Sequence, residues 1–136
     1  MIQEDKELLL KDLCARLPYR VKAQVYNHWS DDFQNETITI ENLYQLIETF
    51  SIKDIKPYLF PISSMTEEQK RELKDLISQE TKILIEQLKN NDCGIDEGKY
   101  HFIKDLELDW LNKNHFDYRG LIPMGLANDA TGLNIY

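Results

Sequence analysis

The run of residues 67–90 constrains the fold most, because it contains neither proline nor glycine. Apolar side chains recur along it at three- and four-residue spacings, which is the pattern of an amphipathic helix. They are Leu73, Leu76, Ile77, Ile83, Leu84 and Leu88. Ser64 or Thr66 can cap the first turn, and the polar run 90–94 ends the helix. We predict one helix here, roughly 36 Å long, which is long enough to extend beyond a small core and dock a partner or a second copy.

Two shorter helices are predicted from the same periodicity. The first spans residues 3–16 and ends before Pro18, because the residue preceding a proline is pushed away from helical angles. Its apolar face holds Leu8, Leu9, Leu13 and Cys14. The second spans residues 105–117, and Gly120 is placed to end it in the left-handed conformation. Its apolar set is Leu106, Leu108, Trp110, Leu111 and Phe116.

Residues 19–62 change to the two-residue period of β-strands. The segments that alternate apolar and polar side chains are 21–26 and 37–40. Between them, residues 27–36 read as a polar turn with two aromatic side chains. Residues 43–50 fit either a helix or a strand, and their place after two strands favours a strand. The segment 57–61 begins and ends with proline, which indicates a stiff extended connector. We expect a small antiparallel, barrel-like sheet.

These elements predict an α+β fold in a single domain, residues 1–136, with a C-terminal loop over residues 118–136. Apolar residues make up 42% of the chain and charged residues 29%, as in ordinary globular proteins. No stretch approaches roughly 18 apolar residues, so no membrane association is expected. Only two cysteines are present, and residues 1–6 lack the pattern of a signal peptide, which favours the cytoplasm. Cys14 is expected to be a small buried apolar residue.

The charge distribution argues against nucleic-acid binding. The formal net charge is −8, from 24 acidic and 16 basic side chains, and the acidic excess lies in residues 26–65 and 91–136. Affinity for nucleic acid depends on Lys and Arg side chains that neutralise phosphates, and no segment here is strongly basic. The acidity indicates solubility or, alternatively, a basic partner or the mimicry of a nucleic acid.

The sequence lacks the usual patterns of catalytic and ligand-binding sites. No two histidines have the spacing of a helical metal pair, and there is no paired-cysteine zinc pattern. Residues 91–97 lack the alternating acidic positions of a calcium loop, and no phosphate-binding glycine loop is present. We expect no metal, no cofactor and no enzymatic activity. The alternative is a small hydrolase that uses Cys93 with His101 or His115 and an aspartate.

The segment 109–120 holds the residues that we single out as a candidate binding surface. It concentrates aromatic and charged side chains, several of which are of types enriched in binding hot spots. The candidates are Trp110, His115, Asp117, Tyr118 and Arg119. In a purely structural interpretation, the aromatic side chains pack inside, Asp117 pairs with Arg119, and His115 bonds to nearby backbone.

Three blocks of the sequence are similar to a known group of proteins. The chain reads DKELLLKDLCARLPY from Asp5, IKPYL from Ile55 with SSMTEE from Ser63, and DWLN from Asp109 with HFDYRGLI from His115. In these blocks it resembles a family of small uncharacterised proteins that is widespread in Bacteroides-group gut bacteria, their phages and mobile elements. The resemblance implies no activity. The chain departs from the family at Arg20, where glycine is common, which argues against a left-handed turn there. It also departs at Asn114, where a second histidine is common, which argues against a paired-histidine metal site.

We therefore predict a non-enzymatic interaction or regulatory protein with a link to phages, which binds a host protein or a second copy of itself. A second hypothesis, from the acidic composition, is an inhibitor of a nucleic-acid enzyme or of a defence system. The small hydrolase is the third.

Overall fold

A computed structural model describes residues 2–49, 51–91 and 97–136. In chain order the elements are α1 (Gln3–Arg16), β1 (Lys22–Asn27), β2 (Asp32–Thr37), α2 (Ile40–Thr49), β3 (Ile55–Pro61), α3 (Glu67–Asn91), α4 (Glu97–Lys113), β4 (Phe116–Asp117) and β5 (Asn128–Asp129). The chain divides into two compact units. The first consists of Met1–Ser64 with Asn112–Tyr136, and the second is Met65–Leu111. The prediction of an α+β fold is confirmed.

The sheet lies in the first unit and is mixed and open. β1 pairs with β2 and with β3 in antiparallel fashion, whereas β3 pairs with β4 and with β5 in parallel. The prediction of an antiparallel, barrel-like sheet is therefore wrong. Two short strands from the C-terminal segment, outside the predicted range 19–62, run parallel to β3. In the part of the chain that the structure describes, β2 has β1 as its one neighbour, which leaves an edge instead of closing a barrel.

The backbone of β2 alternates between the two sides of the strand. Ile38 N–H donates to Val21 C=O at 2.8 Å. The backbone N–H and C=O groups of the even-numbered residues of β2 therefore point toward β1, and those of Phe33, Asn35 and Thr37 point away from it. Side chains reach two of these outward groups. Phe33 N–H donates to the Asp32 carboxylate at 2.8 Å, and Asn42 Nδ2 donates to Thr37 C=O at 2.6 Å.

The first unit contains one apolar core, which α1, the sheet and the C-terminal segment share. The buried members are Leu9, Leu13, Val21, Ala23, Val25, Ile38, Leu43, Ile55, Leu59, Leu121, Leu126 and Ala127. Leu9 and Leu13 are one helical turn apart, which agrees with the predicted apolar face of α1 and with its predicted bounds. Cys14, however, is exposed, so the prediction of a buried cysteine is wrong.

Residues 40–49 form α2, whereas the sequence favours a strand over 43–50. The cause is a reciprocal cap at its N-terminus. Asn42 N–H donates to Thr39 Oγ1 at 3.3 Å, and Thr39 N–H donates to Asn42 Oδ1 at 2.7 Å. Such a cap satisfies two backbone donors that a helix start otherwise leaves unpaired. Leu43 then turns into the core.

The segment that we predict to be a stiff connector is β3, the strand to which β1, β4 and β5 all pair. Pro57 is fully buried and lies opposite Ala23 of β1. A strand tolerates proline where the missing N–H does not face a bonded neighbour, and β5 begins to pair only at Tyr58. Pro61 is the last residue of the strand.

The region after residue 96 also differs from the prediction. α4 spans Glu97–Lys113 instead of 105–117, and the first left-handed residue after it is His115, with φ of 62°. Gly120 is also left-handed, with φ of 74°, but it lies beyond β4 and does not end the helix. A left-handed residue ends a helix and redirects the chain, so Phe116–Asp117 pair with β3. Residues 118–136, predicted to be a loop, contain β5.

Arg20 has φ of 54° and ψ of 52°, which is the left-handed conformation. The prediction that a residue other than glycine argues against a left-handed turn here is therefore wrong. It closes the short 3₁₀ helix Leu17–Tyr19, through a hydrogen bond from Arg20 N–H to Leu17 C=O at 3.4 Å. The turn precedes β1 and sets its direction. Arginine therefore adopts a conformation that costs a residue with a side chain about 1–2 kcal/mol.

α3 confirms the predicted long helix. Thr66 caps it, since Gln69 N–H donates to Thr66 Oγ1 at 3.1 Å and Thr66 N–H donates to Gln69 Oε1 at 2.9 Å. None of its described side chains is fully buried. Among the described residues, no helix combines the length and the apolar character needed to cross a membrane.

Candidate functional site

The five residues predicted as a binding surface do not form one exposed patch. Trp110 is buried on α4, within the second unit. His115, Asp117, Tyr118 and Arg119 follow α4, within the first unit, and each contacts the body of that unit.

Asp117 is a structural residue of the turn that follows it. Its carboxylate accepts hydrogen bonds from Leu121 N–H at 2.8 Å and from Ile122 N–H at 2.9 Å, and only 8% of the residue is exposed. A buried carboxylate with two backbone donors fixes the loop in one conformation. The predicted pair between Asp117 and Arg119 is absent from the ion pairs of the described residues, in which Arg119 pairs with Asp12.

Arg119 instead joins a buried cluster centred on α1, which we name the Arg16 network (Asp12, Arg16, Asn112, Tyr118 and Arg119). Arg16 Nε and Nη2 donate to the two oxygens of the Asp12 carboxylate at 2.9 and 3.2 Å, and both side chains are fully buried. Arg119 Nε donates to the same carboxylate at 3.2 Å. Arg16 Nη2 also donates to Phe116 C=O at 2.6 Å.

Tyr118 completes the Arg16 network. Its ring centroid lies 5.3 Å from the Arg16 guanidinium carbon and 4.8 Å from that of Arg119, in the range of cation–π contacts. Its hydroxyl donates to Asn112 Oδ1 at 2.9 Å and accepts from Arg119 Nη2 at 3.0 Å. The network thus ties α1 to the chain after α4. The spacing of Asp12 and Arg16, one helical turn apart, is the sequence signal that could have revealed it.

His115 is buried and electrically neutral. Its ring stacks on Tyr136 with centroids 3.7 Å apart and planes 12° apart. Burial, together with the positive charges of Arg16 and Lys22, lowers the pKa of His115 from 6.5 to about 4. Burial also raises the pKa of Tyr136 to about 12. The Tyr136 hydroxyl accepts from Lys22 N–H and donates to Tyr58 C=O, both at 2.8 Å, so it bridges β1 and β3.

The described residues offer no group of three or more His, Cys, Asp or Glu side chains that could hold a metal ion. Cys93, the nucleophile of the hydrolase hypothesis, lies outside the described residues, and so does the side chain of His101. His115, the other base of that hypothesis, stacks on Tyr136 inside the first unit.

Exposed aromatic side chains occur instead on the β1–β2 hairpin, residues 26–37, which we name the aromatic hairpin. Trp29 is 91% exposed and Phe33 58% exposed. Asn27 Oδ1 accepts Trp29 N–H at 2.9 Å and Ser30 N–H at 3.4 Å, which fixes the turn in the manner of an Asx turn. The aromatic hairpin therefore presents Trp29 from a defined backbone.

A group of rings lies on one face of the aromatic hairpin. Tyr26 is aligned with Phe33 across the two strands, with ring centroids 5.1 Å apart, and the His28 ring meets Tyr26 edge-on at 4.6 Å. A carboxylate touches the polar end of each of two rings. The Tyr26 hydroxyl donates to Asp31, and His28 Nε2 lies 2.9 Å from Asp54 Oδ2. The hydrogen bond with Asp31 raises the pKa of Tyr26.

The aromatic hairpin is acidic as well as aromatic. Asp31, Asp32 and Glu36 lie in residues 26–37, which contain no Lys or Arg. Sequence reasoning identified only a polar turn here, although two aromatic residues within a polar turn were a signal of exposed rings. The pairing of β1 with β2 could not be read from residues 32–36, which have no apolar alternation.

Comparisons with protein-family models, with curated proteins and with solved structures find no match for this chain.

Proposed function

We propose that this chain is a non-enzymatic binding protein that holds another protein through the aromatic hairpin. The observation that carries the proposal is the 91% exposure of Trp29 on a turn fixed by Asn27. Tryptophan is among the residues most enriched at the centres of protein interfaces. Large side chains that are exposed singly are common, but here Phe33 adds a second exposed ring on the same hairpin.

The exposed rings can supply a substantial part of a binding energy. A tryptophan side chain buries about 150–250 Å² in an interface, which at about 25 cal/mol per Å² is on the order of 5 kcal/mol before the costs of association. Phe33 contributes a similar type of surface. A rigid turn also lowers the ordering cost on binding, because the chain is already held in one conformation.

The Arg16 network supports the same choice of surface. Its charged groups are bonded to one another inside the first unit, and Arg16 and Asp12 are fully buried. Such groups hold the fold together and present little to a partner. Of the residues predicted as a binding surface, Tyr118 and Arg119 are partly exposed in the first unit, and a contact through them remains a second proposal.

The test is capture of a partner with immobilised full-length chain. Wild type, Trp29→Ala and Tyr44→Ala baits are incubated with the same lysate, and the retained proteins are quantified by mass spectrometry. Tyr44 is the matched control, since it is an aromatic side chain with 70% exposure on α2. We expect at least one protein whose retention falls tenfold or more with Trp29→Ala, in line with a loss of about 2 kcal/mol at a hot spot, and is unchanged with Tyr44→Ala. Equal retention by all three baits would reject the proposal.

An acidic inhibitor of a nucleic-acid enzyme is a second candidate, supported by the lack of Lys and Arg in the aromatic hairpin. In that case the captured protein is a nucleic-acid enzyme, and duplex DNA releases it from the immobilised chain, because both compete for one basic surface. A captured protein that DNA does not displace would exclude this candidate and leave the general proposal in place.

A further inference from the structure

We infer that the aromatic hairpin recognises a cationic side chain, arginine or lysine, in an extended basic segment of its partner. The inference rests on the proposed function, because it names the chemistry of the partner at the same surface. It is carried by the direct contacts between rings and carboxylates on one face of the hairpin.

The rings of the aromatic hairpin are placed to attract a cation. Tyr26 donates its phenolic hydrogen to the Asp31 carboxylate, and Phe33 lies beside the Tyr26 ring. Donation to an anion increases the electron density of a phenol ring, and an electron-rich ring attracts cations more strongly to its face. The raised pKa of Tyr26 agrees with a phenol held beside negative charge.

Carboxylates lie around the rings of the aromatic hairpin. Asp31 touches Tyr26, and Asp54 touches His28, so a carboxylate lies next to each of these rings. Residues 26–37 contain no Lys or Arg that could neutralise Asp31. The Asp54 side chain is 10% exposed and also accepts Ser51 N–H at 3.2 Å, so Asp31 is the main source of ionic attraction. A guanidinium or an ammonium group placed on the rings would therefore gain both cation–π and ionic attraction.

Charge also disfavours a second copy that pairs hairpin to hairpin. A copy would bring Asp31, Asp32 and Glu36 against the same three acidic side chains, and like charges placed opposite each other destabilise a pair of strands. A basic segment reverses the sign of these interactions. Charge complementarity therefore favours a basic partner.

The binding experiment uses two short acetylated peptides, one in which arginine alternates with alanine and one with citrulline in place of arginine. Citrulline keeps the shape of arginine and removes its charge. Titration into the ¹⁵N-labelled full chain at low salt is followed by NMR. We expect the arginine peptide to shift the amide signals of residues 26–33 and of Asp54, and the citrulline peptide to leave them in place. Equal shifts with both peptides, or none with either, would overturn the inference.

Two variants distinguish binding at the aromatic hairpin from attraction by the overall negative charge of the protein. Asp31→Asn removes the charge, and asparagine tolerates the left-handed φ of 50° at this position. We expect it to weaken the arginine peptide about fivefold, the size of an exposed charge pair. Asp75→Asn, at an exposed position of α3, changes the net charge equally and serves as the matched control. Equal weakening by both variants would show that only the overall charge acts, and would overturn the inference.

The two proposals fail in different ways. One outcome is a partner whose binding needs Trp29, is equally tight with Asp31→Asn and wild type, and persists at high salt. That outcome would leave the proposed function in place and reject a cationic contact. Specific shifts with the arginine peptide, combined with no Trp29-dependent partner, would support the cation site and reject the proposed function.

Discussion

Replacement of Arg16 by methionine tests how the Arg16 network stabilises the first unit. Arg16 donates three hydrogen bonds, two to Asp12 and one to Phe116 C=O. At about 1.5–3 kcal/mol for each bond to a charged group, their sum is about 4.5–9 kcal/mol. Arg119 keeps one bond to Asp12, so the lower part of this range applies. We expect Arg16→Met to lower the free energy of unfolding by about 4.5 kcal/mol, which also lies within the range for other broken buried pairs.

The double variant Asp12→Leu/Arg16→Met provides the sharper comparison. It removes both charges, so the Asp12 carboxylate is not left buried without Arg16. Replacing both members of a buried ion pair by apolar residues often leaves the stability unchanged. We therefore expect the double variant to be more stable than Arg16→Met alone. This ordering is the opposite of what additive losses would give.

The assay is urea unfolding followed by circular dichroism, with hydrogen exchange of the α1 amides to report on the first unit. Lys11→Met is the control, since it removes a charged side chain from an exposed position of the same helix and should change stability by less than about 0.5 kcal/mol. A loss below about 1 kcal/mol for Arg16→Met, or a double variant less stable than the single one, would refute the reasoning.

Three further substitutions test single features of the first unit. Arg20→Gly should raise the free energy of unfolding by about 1 kcal/mol, because glycine adopts the left-handed turn without steric cost; a lowered thermal midpoint would contradict this. Because the pKa of His115 is about 4 in the folded chain and 6.5 when unfolded, the unfolded chain binds the extra proton between these values. The wild type should then lose about 3 kcal/mol of stability as the pH falls from 6.5 to 4. His115→Asn should flatten this pH dependence in urea unfolding, and an unchanged slope would argue against a buried neutral imidazole. Tyr136→Phe should lower the free energy of unfolding by about 1–2 kcal/mol, because Lys22 N–H and Tyr58 C=O lose their bridge; denaturation of wild type and variant at one pH measures it.

The sequence predicts those elements whose signals are local. α1 agrees with its predicted bounds because its apolar spacing and Pro18 act within the helix itself. α3 agrees because the Thr66 cap and the long run without proline or glycine are also local.

The elements that sequence reasoning missed depend on distant partners or on a short side-chain contact. β3 is a strand because β1 and the C-terminal segment both pair with it, and no property of residues 57–61 reveals those partners. α2 is decided by the Thr39–Asn42 cap, in which asparagine replaces the usual glutamate or glutamine. β4 and β5 are two residues long, below the length at which alternation can be recognised.

The candidate site was predictable only in its residue types. The sequence correctly marks residues 109–120 as rich in aromatic and charged groups. Their inward bonding depends on Asp12 and Arg16, which lie about a hundred residues earlier in the chain. Conversely, the exposure of Trp29 follows from a hairpin whose second strand carries mainly polar side chains and therefore gives no period-two signal.

The outer edge of β2 has a consequence for the behaviour of the protein at high concentration. An unpaired strand edge is a template on which further chains can add and polymerise. Here the Asp32 carboxylate holds Phe33 N–H and the Asn42 amide holds Thr37 C=O, one near each end of the strand. Added strands would have to displace both side chains while facing the acidic Asp32 and Glu36. The hairpin can thus keep its aromatic rings in water, available to a partner, without seeding fibrils of its own chain.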